Sequence, residues 1–238
     1  MILITSGCSF SEYSSGFKDT WPKQLEKQIP LMSSYHEGLH CQGNGLISRK
    51  LIYRTTELLK TNSAEELLVG IMWSSHLRHD FFHSDIKFNG NIDNWLHNPT
   101  GFVDNNSKDW VIIQPWWKNN YAKIYYRDFF DDIGAYVYTL EHILRTQWFL
   151  KSHNIKYFMS MYMDHVLPDM LSDNKHTKHL YEQIDLDQFL PVGGEYEWCK
   201  NHSGLAFSAD DDSHPTAEQH KLFTEKVIIP FCKDKNYL

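Results

Sequence analysis

Apolar residues in this chain fall into short unbroken runs separated by stretches of helical spacing. The first run, Ile2-Leu3-Ile4, predicts a buried strand. Trp21, Leu25 and Ile29 then predict a short amphipathic helix within residues 18–30. Leu39-His40-Cys41 predicts a second strand. It runs into Gln42-Gly43-Asn44-Gly45 and a helix over 46–59 with Leu46, Ile47, Leu51, Thr55 and Leu58 on one face. Residues 67–72 are continuously apolar, as a central parallel strand requires. The longest helical pattern covers 133–152, with Val137, Leu140, Ile143, Leu144 and Trp148 aligned and Asn154 ending it. Residues 155–162 predict a fourth strand. Residues 167–208 read as irregular, with a helical piece over 178–190. A final helix from Thr216 turns Leu222, Phe223, Val227, Ile228 and Phe231 inward. This alternation predicts an α/β fold, a three-layer α/β/α sandwich on a mainly parallel sheet.

The 238 residues are expected to form a single domain, 1–238, with an insertion at about 76–132. There the periodicity weakens and aromatic residues crowd in, among them Trp95, Trp110, Trp116, Trp117, Tyr121, Tyr125 and Tyr126. Aromatic rings among polar neighbours suit stacking on sugar rings, but they equally suit a cap packed inward or a subunit contact. His76, Asp80, His79 and His83 have a spacing that metal ligands use, yet no second set completes a site, and no metal is expected.

A formal net charge of -7 argues against nucleic acid as a main partner. Four cysteines, Cys8, Cys41, Cys199 and Cys232, show no pairing or metal spacing and read as reduced thiols. The first apolar run lacks a basic flank and leads into candidate chemistry, so it reads as a strand rather than a signal peptide. With no membrane-length apolar stretch, no membrane partner and a cytoplasmic location are expected. The oligomeric state stays open.

The chemistry sits at the two ends. Gly7-Cys8-Ser9 places a serine at the carboxyl edge of the first strand, where α/β sheets hold ligands. Cys8 is an alternative nucleophile, but strand geometry points its side chain away from that of Ser9. At the other end, Asp211 and His214 are three residues apart in Asp210-Asp211-Asp212-Ser213-His214-Pro215. A carboxylate there can hold one imidazole nitrogen as a donor and leave the other as a base, and all three aspartates can reach His214 in some loop conformation.

In these end motifs the chain resembles the SGNH (GDSL-like) hydrolase superfamily, in a divergent branch. Gly7-Cys8-Ser9 stands where the family has Gly-Asp-Ser, and Asp211-Asp212-Ser213-His214 where it has Asp-x-x-His. The resemblance implies a flavodoxin-like fold and a triad of Ser9, His214 and Asp211. It also implies an oxyanion hole of the Ser9 N–H, the Gly43 N–H (Gly45 in the other register) and the third-block residue. That block departs from the family: Trp73 stands in the glycine place and Ser75 in the asparagine place. Asn44, which can also cap its helix, is assigned with Trp73, His76 and Asp164 to substrate contact at the strand exits, and His165 beside Asp164 is a further candidate. His220 reads as structural.

The activity implied is ester hydrolysis of a small-molecule or glycan acyl ester, an O-acetyl group on carbohydrate among the options, with no cofactor. The alternatives are an O-acyltransferase, a catalytically weak or inactive glycan-binding protein, and a structural protein that assembles through its aromatic insertion.

Overall fold

The computed structural model describes residues 1–12, 19–82, 110–117, 120–207 and 214–238. In chain order it contains β1 (Ile2–Ser6), α1 (Trp21–Gln28), β2 (Ser33–His36), α2 (Asn44–Leu59), β3 (Leu67–Trp73), β4 (His79–Phe82) and β5 (Trp110–Ile113). There follow α3 (Asn120–Asp128), α4 (Asp132–Ser152), β6 (Lys156–Met161), α5 (Lys178–Tyr181), β7 (Phe189–Gly194) and α6 (Glu195–His202). The chain closes with α7 (Ala217–Phe223), a π-helical turn over Thr224–Ile228, and α8 (Ile229–Asp234).

Five strands form one parallel sheet in the order β2-β1-β3-β6-β7. Taken in sequence among themselves, this is the doubly wound order that reverses between β1 and β3. Every residue of β1 and β3 is buried, as strands covered by helices on both faces must be. On one face α2 packs against α4; on the other α1 packs against α7. The α/β/α sandwich read from the hydrophobic pattern is therefore the fold.

Packing at the centre of the sheet depends on a missing side chain. A Cβ at Gly70 would lie 2.6 Å from Phe158 Cζ and 3.0 Å from Trp21 Cη2. Gly70 pairs in register with Phe158 on β6, so the glycine lets two large buried rings meet over the sheet.

The structure corrects several expected elements. The second strand is Ser33–His36, not Leu39–Cys41. It is an edge strand, paired only with β1 and half-buried, so no apolar run marks it. Residues 39–41 instead form a turn in which Cys41 has a φ of 62°. The stretch read as irregular contains β7 and α6; Pro191, Gly193 and Gly194 interrupt the strand's pattern, which an edge position tolerates. The segment holding His79 is a strand, β4, paired antiparallel with β5.

Trp148 faces outward and is 53% exposed, whereas Leu140, Ile143 and Leu144 are buried as expected. In the final helix Pro230 cannot donate a backbone hydrogen bond, and the π-turn directly before it absorbs the mismatch while keeping Val227 and Ile228 buried. Thr216 is the N-cap of α7 and accepts from Gln219 N–H in a capping box, with Pro215 just before the cap.

Around the insertion, Val111, Ile113 and Ala122 are buried, with Phe81, Trp117, Tyr125 and Tyr126 packed against them. These aromatics pack inward. Trp116, Tyr121 and Phe129 remain exposed. Trp95 and His83 lie outside the described residues. Among the described residues no helix is long and apolar enough to cross a membrane.

Candidate active site

β1 ends at Ser6, and a single 3-10 turn over Ser9–Ser11 follows, flanked by Cys8. Gly7 makes this tight exit possible, because a Cβ there would collide with the Ser11 side chain. Cys8 is fully buried in the main core, and Ser9 is nearly so. Ser9 Oγ lies 2.8 Å from Nε2 of His214, across 205 residues of sequence. The Phe10 ring packs against His214 with centroids 5.2 Å apart. Phe10 also meets Tyr162 edge-on at 5.5 Å and His220 edge-on at 6.2 Å.

The structure thus brings the predicted nucleophile and base from opposite ends of the chain into hydrogen-bond contact. Asp211, with Asp210 and Asp212, lies outside the described residues.

The other expected site residues have partners of their own. The Gly43 N–H donates to Asp80 Oδ1 at 2.9 Å, and the Leu46 N–H donates to Asp80 Oδ2 at 2.9 Å. Asp80, from β4, therefore caps the first turn of α2 in place of Asn44. Burial pushes the Asp80 carboxyl up to about 6, against the opposing pull of those two amides. Gly45, the other register, sits against the half-buried His142 ring.

Asn44 grips the β3 exit. Its Oδ1 accepts from the Ser74 N–H at 2.8 Å, and its Nδ2 donates to the Ser74 carbonyl at 2.9 Å and to Thr139 Oγ1 at 3.2 Å. Both amide hydrogens are thereby used, and this side chain braces the crevice loop.

Trp73 is buried in the main core, with its indole N–H unpartnered among the described residues. Ser75 Oγ accepts from the Leu77 N–H at 3.1 Å. The His76 ring stacks on Tyr136 at 3.8 Å, and its Nε2 meets Asp132 Oδ1 at 3.0 Å. Asp164 accepts from the Gly194 N–H, and its own N–H donates to Glu197 Oε2 at 3.1 Å, which ties the β6 exit to β7 and α6. Among the described residues no three His, Cys, Asp or Glu side chains converge as metal ligands.

The pattern reading weighed Asp80 only as a metal ligand and passed over Glu195 and Arg78. Glu195 is fully buried at the start of α6, with Oε1 2.7 Å from His220 Nδ1. This gives the expected structural role of His220 a partner. Arg78 donates from Nη1 to Ser74 Oγ at 2.7 Å, and its guanidinium lies 5.3 Å over the Tyr162 ring. Burial pushes the Tyr162 hydroxyl up to about 12, so it stays protonated beside His165 Nε2, 2.9 Å away. The sequence signal for Arg78 was its position five residues past a central strand, in a segment read for its histidines.

Comparison of the chain with protein-family models, curated proteins and solved structures finds no match.

Proposed function

We propose that this protein is an SGNH-type serine ester hydrolase acting on a small-molecule or glycan acyl ester. The observation that carries the reading is the 2.8 Å contact between Ser9 Oγ and His214 Nε2 at the carboxyl edge of β1. The edge of a parallel sheet is where such folds bind ligands, and a hydroxyl on an imidazole nitrogen is the pairing that activates serine.

In the proposed reaction Ser9 Oγ forms a bond to the acyl carbon while its proton passes to His214 Nε2. The carbonyl electron pair moves onto oxygen and returns as the bond to the leaving alcohol breaks. The alcohol takes the proton from His214. A water molecule then repeats the sequence on the acyl-enzyme, giving the acid and restoring Ser9. Asp211 would hold His214 in the correct tautomer. An alcohol in place of that water would make the same site an O-acyltransferase.

One observation favours a second reading, a related protein that binds its ligand without turning it over: the Gly43 N–H is already held by Asp80. Labelling with a fluorophosphonate, read by intact mass, separates the two. The hydrolase reading requires one adduct on the wild type, none on Ser9→Ala, and slower labelling of His214→Ala and Asp211→Asn. A folded wild type that takes no adduct overturns it.

A further inference from the structure

Of the groups expected to steady a developing oxyanion, the Gly43 N–H is bound to Asp80, while the Ser75 hydroxyl accepts from the Leu77 N–H and keeps its own O–H to donate. A tetrahedral intermediate at Ser9 needs donors beyond the nucleophile's own N–H.

Arg78 is placed to supply them. It follows the end of β3, which pairs directly with β1 on one side and β6 on the other. It touches Ser74 at the β3 exit, Tyr162 at the β6 exit and the thiol of Cys8, the residue before the nucleophile. Its Nε–H is buried and has no partner among the described residues. Among the described residues no carboxylate forms an ion pair with it, and only the longer-range attraction of Asp80 offsets its charge. Nearby Asp80 is held by two backbone amides. A buried guanidinium without a carboxylate is costly unless an anion arrives.

Resting on the hydrolase reading, we infer that Arg78 is the residue that binds the oxyanion formed when Ser9 attacks the ester. It takes the place of the Gly43 backbone donor, which Asp80 holds, and acts beside the Ser75 hydroxyl. The carbonyl electron pair moving onto oxygen would be met by the N–H groups of the guanidinium, whose charge needs no proton transfer to act.

The test compares wild type, Arg78→Lys and Arg78→Met for p-nitrophenyl acetate hydrolysis and for the rate of fluorophosphonate labelling at Ser9, with circular dichroism to confirm folding. The expected result is a kcat lower by about 100- to 1,000-fold in Arg78→Met with KM changed by less than about threefold. Labelling should slow in parallel, and Arg78→Lys should fall between. Arg78→Met labelled and turning over at the wild-type rate overturns the inference while the hydrolase reading stands. A loss confined to KM also overturns it, since that marks a substrate-binding group. If Arg78→Met does not fold, the charge-conserving Arg78→Lys decides: an unchanged kcat is against the inference and a reduced one supports it. A folded wild type that neither labels nor turns over removes the hydrolase reading, and the inference with it.

Discussion

Asp80 and Gly43, 37 residues apart, are joined by a 2.9 Å hydrogen bond that fastens the β4 strand to the first turn of α2. The second Asp80 oxygen takes the Leu46 N–H, so one carboxylate satisfies two amides that the helix itself leaves without partners. Asp80→Ala should therefore destabilise the fold by about 1–3 kcal/mol, read as a lower urea midpoint with an unchanged slope.

The same carboxylate predicts a pH effect. Its folded-state pKa, about 6, lies above the usual carboxylate value because burial disfavours the charge. The folded protein binds this proton more tightly than the unfolded chain does. The contribution is thus full below about pH 4 and is lost as pH rises through about 6. Unfolding free energies of wild type and Asp80→Asn between pH 4 and 7 should show the wild type losing stability relative to the variant. A constant difference would count against this assignment.

Asn44 braces the loop that carries both Ser75 and Arg78, through paired bonds to the Ser74 backbone. Replacing it by alanine leaves a buried N–H and a buried carbonyl without partners, at about 1–3 kcal/mol each. Asn44→Ala is expected to lower the melting temperature. Because the loop also lines the crevice, it should slow fluorophosphonate labelling at temperatures where the protein is still folded.

Glu195 and His220 form a sealed pair, and burial pushes the Glu195 carboxyl up. Removing one member leaves the other's buried polar atom without its partner, at about 1–3 kcal/mol. His220→Ala should be far less stable than the double variant Glu195→Gln/His220→Gln. Equal losses, measured by chemical denaturation, would show that the pair is not coupled.

At the sheet centre, Gly70→Ala would press a methyl group against Phe158 and Trp21. Overpacking of this kind costs about 1–3 kcal/mol. A companion change, Phe158→Leu, should recover part of the loss, giving a favourable coupling in a double-mutant cycle.

The legible parts of the fold were those that water-exclusion writes into sequence. β1, β3 and β6 are apolar because helices cover both faces, and α1, α2 and α4 carry stripes toward them. The edge strands β2 and β7 were not legible, since one is polar and the other is broken by Pro191 and two glycines. At the site, Ser9 and His214 could be paired because their motifs stand at strand and helix boundaries. That the Gly43 N–H belongs to Asp80 depends on where β4 folds back, which no local spacing encodes. Arg78 escaped notice for the same reason: its contacts with Ser74 and Tyr162, and its lack of an ion-paired carboxylate among the described residues, are facts of three dimensions.

The contact between Ser9 and His214 joins the exit of the first strand to the N-terminal side of the last helix. During synthesis, all five strands of the sheet leave the ribosome before His214 does. The nascent sheet can therefore assemble around a serine that has no base beside it. On the proposed chemistry, the growing chain stays unreactive toward esters until the segment that carries His214 arrives and docks.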